Sequence, residues 1–194
     1  MAKPAPPSAS GPSPLVLTIG HSTRPIEEFI RLLQAHEVEC LVDVRTIPRS
    51  RHNPQFNTDT LPVSLKTAGI GYEHVPDLGG LRRALPDSVN AGWRNTSFRG
   101  YADYMQTSQF TKAVEKLIGL GKRRRLALMC AEAVPWRCHR SLIADALVAR
   151  GIGVEHIMSL SRRQRHVLTP FAKVEGLRIT YPAEGLADAA SGAA

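Results

Sequence analysis

Apolar residues along this chain fall into short unbroken runs that alternate with stretches where they recur every three or four positions. Runs of that length suit strands buried on both faces, and the wider spacing suits amphipathic helices. The runs at 15–19, 40–44, 70–75, 126–129 and 154–158 predict five strands. Ile26, Phe29, Ile30 and Leu33 predict a helix that opens at Pro25, with Glu27 and Glu28 in the first turn where the macrodipole favours acids. A short helix is expected near 60–68. A mostly helical segment is expected over 101–120, in one piece or two, with Tyr104, Met105, Phe110, Val114, Leu117 and Ile118 facing inward. A last helix over about 137–150 carries Leu142, Ile143, Ala146 and Leu147 and stops at Gly151. Residues 177–181 predict an edge strand. Alternating strands and helices imply a three-layer α/β fold of flavodoxin or Rossmann type. Its mostly parallel sheet of about five strands carries helices on both faces, joined by right-handed crossovers.

The remaining stretches set the boundaries. Residues 1–14 hold five prolines with Ser, Ala and Gly, have nothing to bury, and read as a disordered tail. A single domain is expected over 15–182, followed by a small-residue tail over 183–194. Between about 77 and 99 no periodicity is visible, and so long an irregular segment reads as a lid, a binding loop or disorder.

Composition narrows the classes. Lys and Arg number 25 against 17 Asp and Glu, a formal charge of +8, which favours anionic partners, either a small molecule or nucleic acid. It equally suits a basic surface with no special role. Three scattered cysteines cannot close a disulfide framework and point to reduced thiols in the cytoplasm. No run approaches a membrane span, so no membrane partner is expected. Oligomeric state and cofactor are left open by the sequence.

Four motifs occur in order: TIGHS at 18–22, LVDVR at 41–45 followed by Pro48-Arg49-Ser50, LGG at 78–80, and MCAE with a later CHR over 129–140. Together they resemble the family known as domain of unknown function 488, over roughly 15–158. The resemblance implies a three-layer α/β fold with a site built from the motif residues, and no activity.

In an open α/β sheet, ligands sit beyond the carboxyl ends of the strands. Those ends are predicted to carry His21, Ser22, Asp43, Arg45, His74, Cys130 and Glu132, with His21, Arg45, Cys130 and Glu132 close together. The candidate catalytic residues are Cys130 as nucleophile, Glu132 as general acid or base, and His21. Candidate anion-binding residues are Arg45, Ser22, Asp43, Arg137, His139 and Arg140, the last three at a helix N-terminus. Each has a plainer reading: Cys130 as a buried structural thiol, Glu132 as a solvated carboxylate or ion-pair partner, Asp43 and Arg45 as a structural network. The stretch AEAVPW between Cys130 and Arg137 lacks glycine, which argues against a phosphatase-type phosphate cradle. Cys130, Cys138, His139 and His21 are also possible metal ligands, but their spacing forms no tight pair and no metal site is assigned.

Two functions therefore compete. One is an enzyme acting on a phosphate-containing or nucleotide-like substrate. The other is a nucleic-acid-binding module that uses the basic clusters at 82–83, 122–125 and 162–165 with Trp93, Arg94, Phe98, Arg99 and Tyr101.

Overall fold

The computed structural model describes residues 15–183; the tails expected at 1–14 and 184–194 lie outside them. Five strands run parallel: β1 (Leu15–Gly20), β2 (Cys40–Asp43), β3 (Gly71–His74), β4 (Leu126–Cys130) and β5 (Gly153–Ile157). A sixth, β6 (Arg163–Arg165), pairs antiparallel with β5. The sheet order is β3-β2-β4-β1-β5-β6. The three-layer, mostly parallel architecture is therefore as expected. Its strand order departs from both fold types named for it, because β4 is inserted between β2 and β1. Rossmann and flavodoxin sheets run 3-2-1-4-5-6 and 2-1-3-4-5.

The helices are α1 (Ile26–Ala35), α2 (Leu61–Thr67), α3 (Thr96–Tyr104), α4 (Ser108–Gly121) and α5 (Arg140–Val148). Right-handed crossovers fix their faces. The chain moves one way across the sheet from β1 to β2 to β3, which puts α1 and α2 on one side. It moves the other way from β3 to β4 to β5, which puts α3, α4 and α5 on the opposite side. Side-chain alternation follows suit. Leu17, Ile19, Leu41, Ala127 and Met129 pack with Phe29, Leu33, Leu61 and Leu65. Val16, Val42, Leu126, Leu128 and Cys130 pack with Tyr101, Phe110, Leu117, Leu142 and Ile143. Each such fully buried side chain stabilises the fold by about 1.5–3 kcal/mol relative to exposure.

Two local departures have identifiable causes. The helical stretch expected from 101 begins at Thr96, because Asn95 caps it by accepting from the Ser97 and Phe98 amides. Thr107 caps α4 in the same way through the Phe110 amide, so of the two forms expected for the segment the structure has two helices. The strand expected at 177–181 is β8 (Arg178–Thr180), which pairs with β7 (Lys173–Glu175) in a separate hairpin and not with the main sheet.

The segment between Leu78 and Asn95 is irregular but pinned. Asp103 accepts from the Leu85 amide at 2.9 Å, Ser88 Oγ at 2.5 Å and Asn90 Nδ2 at 2.8 Å. Among the described residues no helix is long and apolar enough to cross a membrane.

Helix α5 is buried all round, from Arg140 to Leu147, against β4 and β5 with α4 and the carboxyl-terminal hairpin packed on it. It carries Asp145, fully buried, whose carboxylate gathers distant segments. Oδ1 accepts from His166 Nε2 at 2.8 Å and the Thr169 amide at 3.0 Å; Oδ2 accepts from Thr169 Oγ1 at 2.7 Å and Tyr181 Oη at 2.8 Å. His166 in turn meets His156 at 3.1 Å, and His156 meets Thr18 Oγ1 at 2.7 Å. This chain ties the carboxyl-terminal hairpin and β6 to the centre of the sheet. Asp145→Ala strands all these donors and should cost roughly 3–5 kcal/mol of stability. The midpoint of urea unfolding measures this, and a loss below about 1 kcal/mol would show the network to be dispensable.

Candidate active site

The inserted position of β4 decides where a site can form. Strands β1 and β4 are neighbours, yet β1 crosses to β2 in one direction and β4 crosses to β5 in the other. This is the topological switch point, and the crevice opens where their carboxyl ends diverge. Gly20 lies opposite Cys130, and the ladder runs on beyond the strands: the His21 amide donates to Cys130 O at 3.0 Å and the Ser22 amide to Ala131 O at 2.9 Å. Ser22 takes a left-handed backbone (φ 51°) to do so. Gly20 has to be glycine, because a Cβ there would collide with the Glu132 carbonyl.

A cavity of ≈400 Å³ lies at this edge, lined by Arg45, Ile47, Leu81, Phe98, Cys130, Glu132, Arg137, Cys138 and His139 among others. Of the nine candidate residues, Cys130, Glu132, Arg45, Arg137 and His139 reach it. Glu132 and Arg137 are exposed at its rim. The other four are organised behind the wall. Asp43, fully buried, holds Arg45 through both carboxylate oxygens, at 2.9 and 2.6 Å, and also accepts from Tyr72 Oη at 2.9 Å. Arg45 Nη2 donates again to Phe56 O at 2.7 Å, and Nη1 meets His21 Nε2 at 3.2 Å. His21 is therefore an acceptor at Nε2 and a donor from Nδ1 to Ser22 O at 2.7 Å. Its ring stacks on Phe56 at 4.2 Å. Burial, with the Arg45 charge adding to it, lowers its pKa to about 4 despite the Ser22 bond. Sequence reasoning gave His21 a catalytic role and Ser22 an anion-binding one; here His21 positions Arg45, and Ser22 contributes its backbone.

Arg140 was expected to bind an anion and instead points inward, 1% exposed. Its Nη1 donates to Ile19 O at 3.1 Å and Glu132 O at 2.7 Å, and its Nη2 to Ala133 O at 3.0 Å. Nη1 also lies 2.7 Å from Cys130 Sγ. No carboxylate touches the guanidinium among the described residues, so Cys130 is its one ionisable contact. Burial pushes the Cys130 thiol up, but the hydrogen bond from Cys138, the Arg140 charge and the backbone at Glu132 outweigh it and hold its pKa below the ordinary value. Burial and the neighbouring Cys130 hold Cys138 well above its own.

The CHR motif thus does more than its spacing showed. His139 Nε2 donates to Val44 O at 3.3 Å, leaving Nδ1 as an acceptor 3.6 Å from Cys138 Sγ. Burial lowers the His139 pKa to about 4. Gly80 of LGG packs against this ring, and a Cβ there would lie 2.5 Å from Nδ1.

Residues 25–147 match the family described as "Domain of unknown function DUF488", more than half of the 194 residues. The chain belongs to the DUF488 family. No curated protein and no solved structure matches it. The family's description assigns no chemistry, so the reading of this DUF488 protein rests on its own geometry.

That geometry bears on the other readings. Among the described residues no group of three or more His, Cys, Asp or Glu is arranged to hold a metal ion. Tyr101 is fully buried, Trp93 packs against Phe98, Phe171 and Tyr181, and Arg82 stacks over the Tyr104 ring at 3.6 Å. The cluster at 122–125 precedes β4 at the amino edge of the sheet, the opposite edge from Arg82.

Three buried histidines give this protein a defined acid response. His21 and His139 are lowered to about 4 and His156 to about 3, each chiefly by burial. Between the ordinary value of 6.5 and these values, the unfolded chain binds more protons than the folded one. Stability should therefore fall as pH drops below about 6.5, each histidine contributing up to about 1.4 kcal/mol per unit. Histidine NMR titration checks the cause: His21, His139 and His156 should stay neutral down to about pH 5. Titration of all three near 6.5 would refute it.

Proposed function

We propose that this DUF488 protein is a cysteine-dependent enzyme whose Cys130 thiolate attacks a small anionic substrate held in the cavity at the β1–β4 switch point. The observation that carries this reading is the pairing of Cys130 with Arg140. A buried guanidinium costs several kcal/mol unless it is compensated, and carbonyl dipoles compensate it only in part. A thiolate at 2.7 Å supplies the missing charge. The same thiolate is a nucleophile, and Cys130 is one of the residues that line the cavity.

The rest of the cavity suits such a substrate. Ile47, Leu81 and Phe98 offer apolar cover, while Arg45 and Arg137 offer positive charge. Three of Arg45's N–H directions are fixed by Asp43 and His21, so its orientation is set before a ligand arrives. In the first step Cys130 Sγ bonds to the electrophilic centre and the leaving group departs with a proton from Glu132. In the second, Glu132 takes a proton from water, the water oxygen displaces sulfur, and the thiolate is restored.

Alkylation rates followed by mass spectrometry between about pH 6 and 9 test the central claim. Cys130 should react at least about tenfold faster than Cys40 near neutral pH, because burial and Glu73 push the Cys40 thiol up. Arg140→Lys should shift the Cys130 profile toward higher pH, since a compact ammonium cannot reproduce the guanidinium fork. A Cys130 rate no greater than that of Cys40 would end the nucleophile reading.

A further inference from the structure

Cys130 does not stand alone in the cavity, and its neighbour has no part in the chemistry proposed above. Cys138 lines the same cavity as Cys130, and each thiol perturbs the ionisation of the other. Both sulfurs are held by one residue: Arg140 reaches Cys130 Sγ through Nη1 at 2.7 Å, and its backbone amide meets Cys138 Sγ at 3.5 Å. Cys138 itself is extended (φ −133°, ψ 143°), between the turn at Pro135–Arg137 and the start of α5. It lies outside any helix or strand, so a small backbone adjustment there breaks no ladder.

We infer that Cys130 and Cys138 form a redox dithiol, in which a hydroperoxide oxidises Cys130 and Cys138 closes a disulfide onto it that thiols can reopen. The inference goes beyond the enzymatic reading and shares with it only the site, the Cys130 sulfur beside Arg140. The Cys130 thiolate attacks the nearer peroxide oxygen, the S–O bond forms and the O–O bond breaks. The departing oxygen takes a proton, leaving a sulfenic acid. Sulfur is oxidised by two electrons and the peroxide is reduced. Cys138 sulfur then attacks Cys130 sulfur, the S–S bond forms and the S–O bond breaks. The hydroxide leaves as water with the Cys138 proton, for which His139 Nδ1 at 3.6 Å is an acceptor.

The two thiols are unequal in the order this sequence requires. Cys130 has a cationic partner and Cys138 has an unprotonated imidazole. Closing the disulfide removes the one ionisable partner of a buried guanidinium, which disfavours the oxidised state and makes the bond readily reducible. The third thiol cannot take part. Cys40 lies opposite Leu126 at the amino end of β4, four residues and about 13 Å from Cys130, beyond disulfide reach.

The test uses the full chain, treated with hydrogen peroxide, alkylated, and mapped without reduction. The three alkylatable thiols should fall to one, Cys40, with a Cys130–Cys138 cross-linked peptide lighter by two hydrogens and restored by dithiothreitol. In Cys138→Ser, Cys130 should instead accumulate as a sulfenic acid that dimedone traps. Oxidation of Cys130 to sulfinic acid in the unsubstituted chain while Cys138 stays alkylatable would overturn the inference, and so would three free thiols after treatment. Fast alkylation of Cys130 without a cross-link sinks the dithiol and leaves the nucleophile standing. A cross-link with slow alkylation does the reverse.

Discussion

The buried guanidinium of Arg140 is the constraint on which the rest of this structure depends. It sits at the first residue of α5 and binds the end of β1 through Ile19, the loop after β4 through Glu132 and Ala133, and β4 itself through Cys130. Four pieces of chain meet at one planar fork, and the fork geometry fixes their relative positions. Lysine would supply the charge and not the arrangement. Nε of Arg140 is buried without a hydrogen-bond partner among the described residues, so even this well-surrounded group carries an unmet demand. A charge so placed favours an anion beside it, and the nearest ionisable group is the Cys130 thiol.

A second buried network supports the other wall. Asp43 is fully enclosed, and it orients Arg45 from behind while His21 braces Arg45 from the side. The ion pair does not by itself argue for stability, since desolvation offsets most of the attraction. What it supplies is a fixed direction. The network built around Asp145 acts in the same manner on the far side of the sheet, holding β6 and the β7–β8 hairpin in place. All three networks join residues remote in sequence, and all three use donors that would be costly to strand.

The inserted strand β4 connects fold to chemistry. In this sheet the neighbouring strands whose crossovers leave in opposite directions are β1 and β4, which carry the TIGHS and MCAE motifs. The motifs therefore meet because of strand order. The LGG motif reaches the same place through Gly80, whose missing side chain leaves room for the His139 ring.

Read by itself, the sequence determined the parallel strands, the layering and which polar and thiol side chains stand at the strand ends. Those features are local: apolar runs, helical spacing and turn residues record whether a segment is buried on one face or two. Strand β6 escaped because Arg163, Gln164 and Arg165 are all exposed and pair only through backbone, which leaves no apolar pattern. The extra helical turn at Thr96 is legible in its Asn95 cap. Which candidates face a cavity was not legible at all. Arg137 and Arg140 are three residues apart in the CHR segment, yet one lies at the rim and the other inside the protein. Only the tertiary structure decided that, because the partners of Arg140 come from β1 and β4, and hydrogen bonds between remote backbone carbonyls and a side chain leave no periodic trace in a sequence.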